Sequence, residues 1–303
     1  MVLLDALAGS PTFFIAAALV LGLLVGSFLN VVIYRVPVML EREWRLQCAQ
    51  LAATDAAPSP LVPPLPRFNL VVPRSTCPKC QAPITAAQNI PVLSYLFLRG
   101  RCASCRTHIS VRYPLIEALT GVLSALVAWK FGYGAAALAA LVLTWFLIAL
   151  TFIDVDTQLL PDSMTLPLVW LGVACSAFLQ TNPQGILPVS LHDSIIGAMA
   201  GYLSLWSIYH LFKLLTGKEG MGYGDFKLLA AIGAFLGWRM LLPTVLGAAA
   251  VGAVVGTVIL TMKGKGRGVP IAFGPFLAAS GWIMLMWGRD LLEGYLGLFG
   301  LHS

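Results

Sequence analysis

The sequence predicts an all-α polytopic membrane protein with about eight transmembrane helices and one small folded module in a polar loop. Of its 303 residues 58% are hydrophobic and only 11% are charged, whereas a soluble domain carries about 25% charged residues. The mean hydropathy of +0.85 agrees with this. Several apolar runs also approach the length of about 20 residues that a membrane-spanning helix needs.

Eight segments have the composition of membrane spans, although the sixth is short and could tilt or start inside the interface. The first ten residues contain no Lys or Arg, so the basic region of a cleavable signal peptide is missing and we expect the first segment to remain as a span. The eight predicted spans are Phe13–Ile33, Pro114–Phe131, Ala135–Ile153, Met164–Gln180, Asp193–Leu215, Phe226–Trp238, Leu241–Met262 and Val269–Trp287.

The charge distribution predicts the topology and the domains. Ten of the 19 Lys and Arg residues lie in the polar loop Tyr34–Tyr113. Because the basic residues are concentrated in this loop and beside a few membrane spans, they indicate topology rather than nucleic-acid binding. We therefore expect membrane lipid around the chain and no nucleic-acid partner. Eight spans place this loop on the same side as the basic turns that follow spans five and seven, which predicts a cytoplasmic loop and periplasmic termini. The predicted domains are a first transmembrane helix (1–34), a cytoplasmic loop (35–113) and a helical bundle (114–303). Within the loop, the Pro-rich part Pro58–Pro66 predicts an extended linker.

The polar loop contains two cysteine pairs, Cys77–Cys80 and Cys102–Cys105, with 21 residues between them. Each Cys-x-x-Cys pair supplies two thiolates at the spacing of a structural zinc site, although the separation is slightly longer than the usual range of about 15–20 residues. Two disulfides or four free thiols are the alternatives, and disulfides are disfavoured in the cytoplasm. We therefore expect a cytoplasmic Zn²⁺-binding module, and four thiolates leave no open position on the metal for catalysis.

Acidic residues at the edges of apolar segments are the candidates for the chemistry. Asp225 follows Gly220, Gly222 and Gly224 and precedes an apolar run. Burying an acid there is unfavourable and calls for a reason, but Asp is also a common helix N-cap, and position alone favours neither role. Two converging carboxylates, one protonated and one ionised, could act as general acid and general base on a water molecule.

Three acids could be the partner of Asp225. Asp154 continues directly from span three, whereas Asp156 would face another way if the helix continues. Asp162 follows Pro161 and precedes span four, which favours an N-cap role. We therefore expect the pair Asp154 and Asp225, at the cytoplasmic ends of their spans. Lys227, one turn or less from Asp225, could tune the site or bind a substrate carbonyl, but we expect it to be an interfacial lysine that extends its amine toward water.

Taken together, these motifs resemble the type IV prepilin leader peptidases of the bifunctional, zinc-containing bacterial kind. The resemblance covers most of the chain, although Ala272 stands where the family pattern has Pro, a departure that we expect to affect packing more than chemistry. It rests on Phe68–Leu70, Pro73–Cys80, Asn89–Pro91, Leu98–Cys102 with Cys105, Arg112–Pro114 with Glu117, Ile153–Asp154, Leu160–Asp162, Gly222–Lys227 and Ala272–Phe276.

The resemblance implies an aspartic endopeptidase of the bacterial inner membrane. Such enzymes remove the basic leader of type IV prepilins, and of the pseudopilins of type II secretion, after a Gly. They then N-methylate the new N-terminal residue with S-adenosylmethionine. It implies that Asp154 and Asp225 are catalytic and that the four paired cysteines bind zinc. The chain shows no Gly-x-Gly-x-x-Gly strand–helix unit for the methyl donor, and the loop around Glu43 is our hypothesis for that site.

Two other functions compete with this interpretation. Acids and glycine breaks within a membrane also mark ion pathways, so a transporter or channel with a zinc-stabilised loop is the alternative. No internal repeat is evident between the two halves of the chain, which counts against many transporter folds. A methyltransferase or assembly scaffold without protease activity ranks lower, because both acids are present.

Overall fold

The computed structural model describes residues 2–54, 67–85, 87–179, 187, 189–218, 220–263 and 272–298. Within these ranges the chain forms helices and two isolated β-bridges but no strand, so the predicted all-α class is confirmed. The helices are α1 (Val2–Gly9), α2 (Pro11–Thr54), α3 (Leu93–Phe97), α4 (Arg112–Phe131), α5 (Ala135–Thr157), α6 (Asp162–Phe178), α7 (Leu191–Thr216), α8 (Tyr223–Leu236), α9 (Leu241–Lys263) and α10 (Gly274–Leu298).

Five helical segments in the described part of the chain are long and apolar enough to cross a membrane, which makes this a multi-pass membrane protein. Two of the eight predicted spans correspond to shorter helices, α6 with 17 residues and α8 with 14. At 1.5 Å per residue these are about 25 Å and 21 Å long, less than the hydrocarbon core of about 30 Å. Eight full spans are therefore not confirmed. The five segments are Pro11–Leu51, Arg112–Phe131, Ala135–Thr157, Leu191–Thr216 and Trp238–Val258.

The first long helix continues well beyond its predicted end. We expected the chain to leave the helix after Ile33, but α2 runs through Pro37 to Thr54. Its polar second half is rich in strong helix formers, and Glu41 and Arg45 form an i,i+4 ion pair at 2.5 Å. The rise in polarity marks a change of environment rather than the end of the helix. The predicted Pro-rich linker lies outside the described residues.

The chain divides into two compact units, and each is described by itself. The N-terminal unit comprises residues 16–125, and the bundle unit comprises residues 1–15 together with 126–303. In the N-terminal unit α2 and α4 approach closely, because a Cβ at Gly26 would lie only 2.7 Å from the Cα of Glu117. The guanidinium of Arg35 is buried and donates to the backbone oxygens of Asn69, at 2.8 Å, and Pro73, at 2.6 Å. These hydrogen bonds hold residues 69–73, which precede the cysteines, against α2.

Helix α8 is the centre of the bundle unit. Its residues from Asp225 to Leu236 are buried, apart from Lys227, and they pack against α6, α7, α9 and α10. A Cβ at Gly201 on α7 would lie 2.7 Å from the backbone oxygen of Leu229, so only a glycine permits this approach. Because neighbouring helices enclose α8, it contacts protein rather than lipid and does not need the length of a full span.

Candidate active site and metal centre

Helix α5 places the first candidate acid. The helix continues past Asp154 to Thr157, and the backbone N–H of Gln158 donates to the Asp154 backbone oxygen at 2.8 Å. Asp154 is only 5% exposed, whereas Asp156 is exposed. Two residues along a helix turn the side chain by about 200°, so these two acids face in different directions. The structure thus directs Asp154 toward the protein interior.

The glycine-rich turn places the second candidate acid. Gly222 is the N-cap of α8, and Asp225 is the third residue of that helix, so the alternative that Asp225 is itself the N-cap is wrong. The side chain of Asp225 is buried, with 6% of the residue exposed. It lies in the first helical turn, where the unpaired backbone N–H groups favour a negative charge.

The two acids line one cavity of about 250 Å³ in the bundle unit. Asp225 is close enough to Asp154 to experience its charge. Asp154 Oδ2 and Asp225 Oδ1 are buried, and neither accepts a hydrogen bond from the described residues. A buried oxygen without a partner is unfavourable, and two at one cavity form a ready acceptor site for a water molecule. Such a pair can exchange protons with a substrate when one carboxyl is protonated and the other ionised.

Gly224 and Leu160 line this cavity, and Gly274 lies against Asp154; the sequence analysis gave none of these residues a role in shaping a site. A Cβ at Gly274 would lie 2.5 Å from Asp154 Oδ2, and a Cβ at Gly224 would lie 2.6 Å from Leu160 Cβ. Ala272 also lines the cavity, so the place where this chain departs from the family pattern lies at the same cavity as the two candidate acids. The glycine next to Pro275 was a possible signal, but it entered the sequence analysis only as part of the stretch Ala272–Phe276 that carries the family resemblance.

Asp162 and Lys227 differ from their predicted roles. Asp162 is the first residue of α6, whose N-cap is Pro161, so the N-cap prediction is wrong. Its carboxylate instead forms an ion pair with the Lys227 amine, with 2.5 Å between Oδ1 and Nζ. Lys227 is therefore held by an acid from another helix, rather than extending freely toward water as we expected.

The four paired cysteines meet at one point in the N-terminal unit. Their Sγ atoms all lie within 4.8 Å of one another, and Cys77 Sγ is 3.8 Å from Cys105 Sγ. Four sulfurs at the zinc–thiolate distance of about 2.3 Å in a tetrahedron are about 3.8 Å apart. A disulfide would need about 2.05 Å, and all four thiols are free. The cluster therefore has the geometry to bind a metal.

The two cysteine loops have the same backbone geometry. In each, the first cysteine donates its backbone N–H to the residue five positions later, and the residue after the second cysteine has a positive φ angle. The two hydrogen bonds run from the Cys77 N–H to the Ala82 backbone oxygen and from the Cys102 N–H to the Thr107 backbone oxygen, both at 2.9 Å. The φ angle is 58° at Gln81 and 54° at Arg106. The repeated geometry shows two equivalent loops that present their thiols to one centre.

The backbone of these loops favours thiolates. Backbone N–H groups of Cys80 and Lys79 lower the pKa of the Cys77 thiol to about 6. In the second loop the backbone N–H of Cys105 lowers the pKa of Cys102. The backbone N–H of Ala82 lowers the pKa of Cys80, but desolvation and the three neighbouring thiols together outweigh it and raise this pKa to about 11. Four thiolates can be held this close only around a cation, and thiolate is the form that binds metals.

Comparisons with known proteins identify the family of the chain. Residues 20–131 match the bacterial peptidase A24 N-terminal domain, and residues 141–257 match the type IV leader peptidase family. No solved structure matches the chain.

Curated relatives of the chain carry the name prepilin leader peptidase/N-methyltransferase. The protein of Stutzerimonas stutzeri is 52% identical over 96% of each chain. That of Pseudomonas aeruginosa is 48% identical over 99% of each, and that of Neisseria gonorrhoeae 54% over 90% of each. The resemblance stated from the motifs is confirmed: the chain belongs to the type IV leader peptidase family.

Proposed function

We propose that this protein is a membrane-embedded aspartic endopeptidase that removes the leader of prepilins and N-methylates the new N-terminus. The observation that carries the proposal is the pair of buried carboxylates with unpartnered oxygens at one cavity. Relatives with this printed name and about 50% identity over nearly the whole chain support an enzyme rather than a transporter or channel.

Asp154 and Asp225 are the proposed catalytic pair. The ionised carboxylate takes a proton from a water molecule, whose oxygen adds to the carbonyl carbon of the Gly that ends the leader. The protonated carboxyl then donates its proton to the leaving nitrogen, and the C–N bond breaks. No metal or covalent intermediate is needed. Pseudopilins of type II secretion are proposed substrates of the same site.

The site's place in the chain suits such a substrate. Asp154 lies in the last turn of α5 and Asp225 in the first turn of α8, so both lie at helix ends rather than in mid-helix. We propose that these ends are on the cytoplasmic side of the bacterial inner membrane, with periplasmic termini. A basic leader would then remain in the cytoplasm, and the apolar segment that follows it would stay in the bilayer.

Zn²⁺ is the proposed occupant of the four-cysteine cluster. Cys77, Cys80, Cys102 and Cys105 fill all four positions of a tetrahedral ion, so the metal would fold the N-terminal unit and take no part in peptide cleavage. We propose S-adenosylmethionine as methyl donor, on the family resemblance. Glu43, exposed on the polar half of α2, is the proposed residue of the methylation site.

Mass spectrometry of a prepilin substrate tests the catalytic pair. Asp154→Asn and Asp225→Asn keep the size of each side chain but remove its exchangeable proton, so both variants should leave the prepilin at full length. Asp156→Asn is the matched control, because this exposed acid is on the same helix, and it should cleave at the wild-type rate. Normal cleavage by Asp154→Asn or Asp225→Asn would refute the assignment. Thermal unfolding unchanged from wild type would show that the variants are folded, and unchanged zinc content would show that the N-terminal unit is unaffected.

A further inference from the structure

We propose that the Asp162–Lys227 ion pair is a positioning device that fixes the two catalytic carboxylates relative to each other. The proposal rests on the assignment of Asp154 and Asp225 as the cleavage pair. Neither Asp162 nor Lys227 is among the residues that line the cavity of about 250 Å³, so their effect would act through the acids.

The ion pair joins the two stretches of chain that carry the acids. Asp162 follows Asp154 after the end of α5 and the four-residue connection 158–161, whereas Lys227 is two residues beyond Asp225 on α8. Helices α5 and α8 each pack against α6 and α10. Their relative position therefore depends on how the start of α6 is held against the start of α8, which is where the ion pair lies.

The connection between α5 and α6 also fits directly against the site. Leu160 Cβ lies 2.6 Å from the position that a Cβ of Gly224 would take, and Leu160 Cδ1 lies 3.2 Å from that of Gly274. The leucine thus sits between the residue before Asp225 and the residue that contacts Asp154. The connection is therefore held in place by two contacts, the apolar contact of Leu160 with the two glycines and the ion pair of Asp162 with Lys227.

The exposed fractions of the two side chains indicate that the ion pair contributes to positioning rather than to the stability of the fold. The side chain of Asp162 is 58% exposed and that of Lys227 is 22% exposed. Ion pairs this accessible to water contribute little to overall stability. Loss of the pair should therefore leave the protein folded. A displacement of about 1 Å between catalytic groups, in contrast, can lower a rate by about 100-fold.

Steady-state cleavage of a prepilin by the full-length protein in detergent tests the proposal. Lys227→Met and Asp162→Asn should each lower kcat about 10- to 100-fold, with KM and thermal unfolding unchanged. Lys227→Arg, which retains the charge, should keep most of the activity. The exchanged pair Asp162→Lys with Lys227→Asp should recover at least part of the loss.

The matched control is the ion pair between Lys130 and Asp290, also in the bundle unit, at 3.1 Å. Lys130→Met should keep the wild-type kcat. Wild-type kcat in Lys227→Met, a change in KM alone, or failure of Lys227→Arg to retain activity would each overturn the positioning role. Asp154→Asn and Asp225→Asn, measured in the same series, separate the two proposals. If they still cleave, the catalytic assignment fails; if they are inactive while Lys227→Met is normal, only the positioning role fails.

Discussion

Replacing Gly274 by alanine should disable cleavage while leaving the rest of the protein intact. The added Cβ would lie 2.5 Å from Asp154 Oδ2 and 3.2 Å from Asp154 Cγ. The shorter distance is about 0.9 Å less than the 3.4 Å at which ordinary contact begins. Either the carboxylate or the start of α10 must move by about that amount. Because a displacement of about 1 Å can reduce catalysis about 100-fold, we expect a loss of that order in kcat.

The assay compares prepilin cleavage with methylation of a substrate that has already been cut. Overpacking of this kind costs about 1–3 kcal/mol of stability, so Gly274→Ala should still fold, bind zinc and methylate the cut substrate. Gly294→Ala is the matched control, because it lies on the same helix and an added Cβ there meets nothing within 4 Å. It should cleave normally. Cleavage at the wild-type rate by Gly274→Ala would refute the close contact between α10 and Asp154.

Two further predictions concern the N-terminal unit. Cys77→Ser should reduce bound zinc, measured by elemental analysis, from about one ion per chain to well below that value. Cys48→Ser, which changes an exposed cysteine outside the cluster, should retain the metal; equal zinc in both variants would contradict a four-cysteine site. Glu43→Gln should abolish methylation and leave cleavage unchanged. Normal methylation in this variant would remove Glu43 from the proposed donor site.

Some parts of the site were accessible from the sequence because they depend on near neighbours. The two Cys-x-x-Cys pairs predict a metal cluster through local spacing, and the structure brings all four thiols together. The different directions of Asp154 and Asp156 follow from helical periodicity once the helix is known to continue. Whether these acids perform the chemistry stays a prediction.

Other parts were not accessible, since they depend on contacts between distant segments. The polarity after Ile33 was taken as the end of a helix, but helix-forming residues carry α2 on to Thr54. The roles predicted for Asp162 and Lys227 considered each residue with its own neighbours. Their ion pair joins positions 65 residues apart.

Composition and local spacing were therefore enough for the membrane class, the all-α fold and the cysteine cluster, and the resemblance of short motifs to a known family gave the family of this protein. Each depends on hydropathy over about 20 residues or on motifs a few residues long. The tertiary structure decided that α8 is an enclosed helix, that Gly274 contacts Asp154, and that an ion pair joins the starts of α6 and α8. These features arise because helices that are far apart in the chain pack against one another. Hydropathy and residue spacing describe only near neighbours, so they do not predict such contacts.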